Sequence, residues 1–264
     1  MLFPRSPQDP KENLEEIAVP AFVVPNRLEI RRGLFYLFFH LFLFGSLVVT
    51  LFSVLGIPLD TLTLNLVIMS TGSLYLVTRF KEHIHLSFMR FWQYGLKNIS
   101  LLIFAFLLRL VLSILAGLLI AFLLPRVMGL ADYGYLAYEP ALPSPNQDLF
   151  SEMLGYHFIT AAFLAVVLAP IWEELLFRSV LFAGVYHKGR LRAYFVSTLS
   201  FSFVHIMNFL FLGGFSPILF LTMLIYIPAG IVLCWVYEKS GNVITAMLMH
   251  GLINFIVIFG GAAL

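Results

Sequence analysis

Polar side chains occur at three places inside otherwise apolar segments of the chain. Glu173 and Glu174 interrupt one apolar run, His205 lies in the middle of the next, and His250 and Asn254 share a third. The spacing of four residues places His250 and Asn254 on one face of a helix. Ionisable groups within apolar spans are costly and indicate a functional site by default. The alternative for the two glutamates is a buried ion pair that only fixes helix packing.

These side chains could activate water for hydrolysis. A carboxylate in a low-dielectric cavity can serve as a general base, and an imidazole can orient the water. A second imidazole and an amide N–H could stabilise the oxyanion of a tetrahedral intermediate. The competing interpretation is a zinc site with Glu173, His205 and His250 as ligands, a set used by several zinc hydrolases. The HExxH motif of zinc proteases is absent from the sequence.

The two adjacent glutamates cannot play the same role, because neighbouring residues of a helix point about 100° apart. Arg178 lies four residues after Glu174, the spacing at which a glutamate and a following arginine meet on one face. It lies five residues after Glu173, which is a poorer fit. We therefore predict an ion pair between Glu174 and Arg178, and we assign Glu173 to the water.

The elements that must position these residues are membrane helices. Of the 264 residues, 61% are hydrophobic and only 11% are charged, whereas soluble chains contain about a quarter charged residues. Apolar runs of spanning length must be helical, because lipid offers no partners for backbone polar groups. The sequence therefore predicts an all-α, polytopic transmembrane helix bundle of about seven to eight membrane helices. The seven predicted spans are 34–56, 62–79, 99–125, 156–183, 193–212, 217–237 and 242–262.

Basic residues are concentrated in alternate connections between these spans. They precede the first span and follow the second, fourth and sixth, at Arg27, Arg31, Arg32, Arg79, Lys81, Arg90, Lys97, Lys188, Arg190, Arg192 and Lys239. The connections 57–61 and 213–216 contain no lysine or arginine, and 126–155 contains one. Positively charged connections stay in the cytoplasm. We therefore predict a multi-pass protein of the cell membrane with a cytoplasmic N-terminus.

Three regions are predicted along the chain. Residues 1–33 are polar and rich in proline, and they predict a cytosolic N-terminal arm without a cleavable signal peptide. Residues 34–152 hold the first membrane helices, an amphipathic segment at 80–97 and an external loop. The pattern of 80–97 predicts a helix on the cytoplasmic surface, and its rival is a helical extension of the flanking spans. Residues 153–262 carry the polar site.

The polar residues of this last region form three ordered motifs. They are EExxxR from Glu173 to Arg178, FxxxH from Phe201 to His205, and HxxxN from His250 to Asn254. In this order, and each on its own span, they resemble the CPBP family, which includes the type II CAAX prenyl endopeptidases and bacterial bacteriocin-immunity (Abi) proteins. The resemblance covers residues 153–262. It implies that Glu173 and His205 activate water, and that His250 and Asn254 form the oxyanion hole.

The resemblance implies an intramembrane endopeptidase of the CAAX type, which hydrolyses a peptide bond of a membrane-associated protein or peptide. We favour a glutamate mechanism without a cofactor over a zinc-dependent one. The expected partners are a protein or peptide substrate and the lipid bilayer, with no nucleic acid. Two other classes stay open: a non-catalytic membrane scaffold or bacteriocin self-immunity protein, and a transporter that couples protons through Glu173. The transporter class lacks a visible inverted repeat.

Other polar residues carry weaker expectations. Arg109 interrupts the third predicted span, where it could bind a substrate carboxylate, pair with Glu174 or line a packed interface. The sequence does not choose among these three roles. His40 is expected to be a packing residue. The histidines at loops or span ends are expected to be solvated, and these are His83, His85, His157 and His187.

Overall fold

The computed structural model describes residues 22–127, 157–213 and 217–259, and all regular secondary structure in these ranges is helical. The predicted all-α fold is confirmed. Most of the predicted external loop, 128–155, and the first part of the predicted arm, 1–21, lie outside the described residues. The helices are α1 (Arg27–Phe39), α2 (Gly45–Val54), α3 (Thr61–Arg79), α4 (Lys81–Gln93), α5 (Gly95–Val127), α6 (His157–Tyr186), α7 (Arg190–Gly213), α8 (Pro217–Ser240) and α9 (Val243–Phe259).

Three of the described helices are long and apolar enough to cross a membrane, at Gly95–Arg126, His157–Tyr186 and Leu221–Ser240. Arg27–Phe39 and Phe42–Val54 meet at a bend of 42° and add a fourth span if the pair is counted as one. Helix α9 is apolar but has only 17 residues, and α3 and α7 contain many polar side chains. Each predicted span therefore coincides with a described helix or with the bent pair. By length and composition, three or four of these helices can cross a membrane.

The chain enters the bundle earlier than the sequence predicts. Helix α1 begins at Arg27, before the predicted start of the first span at residue 34. Asn26 and Glu29 form a capping box, in which each side chain accepts a hydrogen bond from the backbone N–H of the other. The Phe22 side chain is buried in an aromatic cluster whose other members are Phe182, Tyr186 and Tyr237. The described part of the predicted arm is therefore packed against the ends of α6 and α8.

Helix α4 is the helix predicted within 80–97, and it is distinct from its neighbours α3 and α5. Its buried side chains include the polar His83 and Ser87, whereas its large apolar side chains Leu86, Phe88, Met89 and Trp92 are exposed. His83 lies 2.8 Å from the Ser179 hydroxyl of α6, and Ser87 accepts a hydrogen bond from the backbone N–H of Val243 at 3.4 Å. The helix thus packs on the protein through His83 and Ser87 and exposes large apolar side chains, as suits a helix at a membrane surface.

The other histidines divide into buried and solvated residues. His85, His157 and His187 are exposed, as predicted. The prediction that His83 is solvated is wrong, because this residue contacts Ser179 of α6 and is only 2% exposed. His40 is half-buried, with its ring centroid 4.5 Å from that of Trp172, which agrees with the predicted packing role.

Helix α6 lies at the centre of the bundle and contacts α1, α3, α7, α8 and α9. Two of its stretches are π-helical, Leu164–Leu168 and Leu175–Phe182, and they flank the α-helical segment Ala169–Glu174. π-helical turns are rare and frequently mark functional sites. The segment between them ends in the two glutamates. The local geometry of α6 therefore changes on both sides of the residues that could do chemistry.

Candidate active site

Glu173 of α6 faces two imidazoles from different helices, His205 of α7 and His250 of α9. Its Oε2 atom lies 3.9 Å from Nε2 of each ring. Glu173 is 8% exposed and His250 is 5% exposed, so this carboxylate is held away from bulk solvent. A separation of 3.9 Å is too long for a direct hydrogen bond, but one water molecule can bridge groups at this distance. The structure therefore brings these three predicted site residues to one place.

The hydrogen bonds of the two imidazoles fix which nitrogen of each ring faces Glu173. His205 donates from Nδ1 to the backbone carbonyl of Phe201 at 2.8 Å. His250 Nδ1 lies 2.8 Å from Glu174 Oε1, and it donates because an ionised carboxylate can only accept. In both neutral rings Nε2 therefore carries a lone pair. Each Nε2 can accept a proton or hold a water molecule beside Glu173.

Glu174 forms the predicted ion pair with Arg178 and has a second partner that the sequence did not predict. Arg178 Nε lies 3.0 Å from Glu174 Oε2, and both side chains are 0% exposed. The other carboxylate oxygen of Glu174 binds His250. The guanidinium of Arg178 also lies over the ring of Phe201, 4.7 Å from its centroid. Glu174 thus links the charge of Arg178 to the imidazole of His250.

Asn254 is held on the backbone of α6. Its Nδ2 donates to the carbonyl of Ala165 at 2.7 Å. Ala165 lies in a π-helical stretch, where a carbonyl bonds the N–H five residues later, and that residue is Pro170, which has no N–H. The amide of Asn254 therefore takes the place of the missing donor. One of its two amide hydrogens is occupied in this way, and the other is left for a further acceptor.

A glycine beside His250 brings α9 close to α6. A Cβ atom added at Gly251 would lie 2.8 Å from the backbone carbonyl oxygen of Val166, a distance that real Cβ atoms do not show. Only a glycine at this position allows the two backbones to approach so closely. The close approach positions His250 next to Glu174 and Asn254 next to Ala165.

Two aromatic residues complete the surroundings of the imidazoles. The ring of Phe201, 2% exposed, lies 4.6 Å from the ring of His205 and 5.8 Å from that of His250. Its place beside His205 follows from the spacing of four residues, but its contact with His250 does not. Tyr226 of α8 lies 4.3 Å from the ring of His205, and no signal in the sequence indicates this contact.

Glu173 lies farther from both imidazoles than the ligands of a tetrahedral zinc ion lie from one another. Tetrahedral nitrogen and oxygen ligands at about 2.0–2.2 Å from zinc are separated from each other by about 3.3–3.5 Å. The two separations between Glu173 and the imidazoles are wider, at 3.9 Å each. Among the described residues, no group of three His, Cys, Asp or Glu side chains is placed to hold a metal ion.

A comparison with known proteins supports the resemblance drawn from the three motifs. Residues 155–256 match the family model described as type II CAAX prenyl endopeptidase Rce1-like. This segment contains all three motifs and every side chain of the site described above. Residues 155–256 are therefore similar to the Rce1-like family. The Rce1-like region thus comprises α6 to α9, which hold the site, and the preceding helices α1 to α5 lie outside it.

Curated relatives of the chain come from Lactococcus lactis. The UPF0177 protein YxdF of subsp. lactis (strain IL1403) is 31% identical over 43% of this chain and 56% of its own length. The UPF0177 protein in abiGi 5'region, of subsp. cremoris, is 29% identical over 46% of this chain and 48% of its own length. The chain thus spans about half the length of these relatives. No solved structure matches it.

Proposed function

We propose that this protein is an intramembrane endopeptidase, which hydrolyses a peptide bond of a membrane-associated protein or peptide with water activated by Glu173. The observation that carries the proposal is the position of the Glu173 carboxylate between the Nε2 atoms of His205 and His250. The three groups come from three helices of an Rce1-like region, in a site that is mostly buried.

Glu173 is proposed as the general base. A water molecule between Glu173 and His205 would give one proton to the carboxylate while its oxygen attacks the peptide carbonyl carbon. His205 would orient this water through its Nε2 lone pair, because Nδ1 is already committed to Phe201. When the tetrahedral intermediate collapses, Glu173 would return the proton to the leaving amine nitrogen. All protons of the hydrolysis are thereby accounted for, and no further proton donor or acceptor is required.

His250 and Asn254 are proposed to stabilise the oxyanion. Neutral His250, with its proton on Nδ1, has no hydrogen on Nε2 to offer. It can donate to an oxyanion only as an imidazolium, in which Nδ1 still donates to the Glu174 carboxylate. Asn254 has one amide hydrogen left after bonding Ala165. A donor of this kind contributes about 10²–10³-fold to turnover in other hydrolases.

The experiment that tests the proposal compares the wild-type protein with Glu173→Gln, which keeps the shape of the side chain and removes the proton acceptor. Membranes containing each protein are analysed by mass spectrometry for new peptide N-termini. We expect new termini only with the wild-type protein, and we expect Glu173→Gln to retain bound, uncleaved substrate. Glu82→Gln, the same substitution at an exposed residue of α4, is the matched control and should cleave normally.

The outcome also separates the enzyme from the scaffold or self-immunity alternative. If Glu173→Gln yields the same termini as the wild type, the proposed mechanism is wrong. A biological effect of the protein that persists in a stable, inactive Glu173→Gln variant would favour the non-catalytic alternative. The proposed mechanism requires no cofactor. The partners are the peptide substrate and the lipid bilayer, and the site opens within the cell membrane.

A further inference from the structure

The corner between α4 and α5 carries two cations beside one aromatic ring. Helix α4 ends at Gln93 and α5 begins at Gly95, so Tyr94 forms the corner. The guanidinium carbon of Arg90 lies 5.9 Å from the centroid of the Tyr94 ring, and Nζ of Lys97 lies 5.7 Å from it. Both distances are in the range of cation–π contacts. The Tyr94 ring thus brings a guanidinium and an ammonium group to the same corner.

Hydrogen bonds of Asn98 fix the shape of this corner. Its side-chain Nδ2 donates to the backbone carbonyl of Phe91 at 2.9 Å, and its backbone N–H donates to the carbonyl of Tyr94 at 2.9 Å. Asn98 is fully buried. This residue therefore ties the end of α4 to the first turn of α5. Because the two helices are tied here, the backbone that carries Arg90 and Lys97 is fixed before any ligand binds.

A surface pocket lies at this corner, and we call it the corner pocket. Its volume is about 580 Å³, which is within the usual range for sites that bind small molecules. Lys97 lines the pocket together with the exposed apolar side chains of Trp92, Leu96 and Ile99. A cation beside several large apolar side chains suits a ligand that is itself amphipathic and negatively charged.

An exposed apolar stripe runs from the corner pocket along α5. Its members share one helix face and are 54% to 85% exposed, and they are Leu96, Ile99, Ile103 and Leu107. The opposite face of α5 is buried in the protein and includes Asn98, Ala105 and Arg109. With a rise of 1.5 Å per residue, the stripe is about 16 Å long. This length is close to half of the hydrocarbon core of a bilayer, which is about 30 Å thick. The stripe therefore matches the depth of one leaflet.

The charge of this part of the chain is strongly positive. Residues 79–97 contain four Lys or Arg side chains and one carboxylate, Glu82, and residues 83–127 contain no Asp or Glu. Glu82 lies near the start of α4, whereas the corner pocket lies beyond its end. Clusters of Lys and Arg on an amphipathic helix beside a membrane span attract anionic lipids. The negative charge that the segment lacks can therefore come from a lipid headgroup.

We propose that the corner pocket binds the headgroup of an anionic phospholipid, whose acyl chains lie along the α5 stripe. Arg90 and Lys97 contact the phosphate, because hydrogen bonds between ionised groups are stronger than those between neutral ones. Trp92 lies at the level of the headgroups, where tryptophan is enriched in membrane proteins. A zwitterionic lipid fits the same space, but its own cation opposes the attraction. This lipid site does not depend on the proposed endopeptidase function.

The test measures which lipid lies against Trp92. The purified full-length protein is reconstituted in phosphatidylcholine vesicles that contain an equal fraction of either brominated phosphatidylglycerol or brominated phosphatidylcholine. Bromine quenches the fluorescence of a tryptophan that it contacts, and the two probes differ in the net charge of their headgroups. The chain contains three tryptophans, so the signal that disappears in Trp92→Phe is assigned to Trp92. Its quenching by each probe gives the relative affinity of the two lipids for the corner pocket.

We expect brominated phosphatidylglycerol to quench Trp92 of the wild type more strongly than brominated phosphatidylcholine does. The double variant Arg90→Gln, Lys97→Gln should lose this preference, by up to about fivefold for each cation removed. Lys97→Arg, which keeps the charge, should retain it. The matched control is the double variant Lys188→Gln, Arg192→Gln, which removes the same charge from exposed residues on the same predicted side of the membrane and should keep the preference. Thermal unfolding verifies that each variant is folded.

Three results overturn the inference. Equal quenching of the wild type by the two probes shows that the corner pocket does not select an anionic lipid. Absence of quenching by either probe shows that another molecule, such as a second copy of the chain, covers the corner. An equal loss of preference in the two double variants shows that the total charge of the protein, and not the corner pocket, attracts the lipid. None of these results depends on cleavage by the protein.

Discussion

His250 donates a hydrogen bond from Nδ1 to Glu174 at 2.8 Å, which joins the third motif of the chain to the first. The same carboxylate is paired with Arg178 at 3.0 Å. Glu174 therefore has two functions in this arrangement. It neutralises a buried guanidinium, and it fixes the tautomer of an imidazole whose other nitrogen faces Glu173.

The first prediction separates these two functions of Glu174. Glu174→Gln and Arg178→Met should each lower the free energy of unfolding by about 3–5 kcal/mol, because each leaves one buried charge without its partner. The double variant should recover much of this loss, since neither charge remains. Its turnover per folded molecule should stay low, because His250 has lost the carboxylate that accepts its Nδ1 hydrogen bond. Thermal unfolding and cleavage rates measure the two effects.

A double variant with wild-type turnover would show that Glu174 acts only on stability, as the sequence alone led us to expect. Arg190→Gln provides a comparison outside the site. Its partner Glu238 keeps hydrogen bonds from Tyr186 and Tyr194, so this substitution should cost less stability and leave turnover unchanged.

The second prediction concerns the close approach of α9 to α6. Gly251→Ala should destabilise the protein by about 1–3 kcal/mol, because the new methyl group meets the backbone carbonyl of Val166. The resulting shift of α9 should move His250 and lower turnover as well. Gly117→Ala is the control, since a Cβ atom there meets nothing and alanine favours a helix by about 1 kcal/mol. A Gly251→Ala protein with wild-type stability would contradict the packing described here.

The third prediction concerns metal. The separations of 3.9 Å between Glu173 and the two imidazoles are wider than zinc ligands require, and we predict turnover without a metal ion. Activity of the purified protein should survive exhaustive treatment with a chelator, followed by assay in metal-free buffer. Loss of activity that one equivalent of zinc restores would establish the rival mechanism, with Glu173, His205 and His250 as ligands.

The fourth prediction concerns pH and His83 of α4. Burial lowers the pKa of His83 from its ordinary value of 6.5 to about 3. The folded protein therefore holds this ring neutral while the unfolded chain binds a proton below pH 6.5. Stability should decrease as pH falls from about 6.5 towards 3, with a contribution of up to about 1.4 kcal/mol per pH unit.

Thermal unfolding of the purified protein at pH values between 5 and 8 measures this contribution. His83→Gln, which cannot be protonated, should flatten the dependence of stability on pH relative to the wild type. His85→Gln, at an exposed histidine of the same helix, should leave the dependence unchanged. An unchanged slope in a folded His83→Gln protein would show that this ring is not held neutral by burial.

The fifth prediction concerns orientation in the membrane. The alternation of basic residues predicts that the turn at Lys188 faces the cytoplasm and the turn at Leu59 faces outward. Single cysteines at these positions, in a Cys234→Ser background, are treated with a membrane-impermeant thiol reagent. Position 59 should react in intact cells, and position 188 only after the membrane is opened. The opposite pattern would invert the predicted topology.

The sequence by itself determined those features that depend on local periodicity and composition. Long apolar runs require helices, and the helices are present. A spacing of four residues places Glu174 beside Arg178 and Phe201 beside His205, and both contacts are formed. The order of the three motifs indicated the family, and residues 155–256 match it.

Only the tertiary structure decided which helices adjoin and how each is rotated. The bond from His250 to Glu174 and the bond from Asn254 to Ala165 both depend on the close approach of α9 to α6. The burial of His83, which contacts Ser179 of α6, likewise depends on a partner helix. A hydrophobic pattern shows that a helix has two sides, but lipid and protein interior both accept apolar side chains. The pattern therefore cannot show which side meets a neighbour, and the packed structure is needed to assign the contacts of the site.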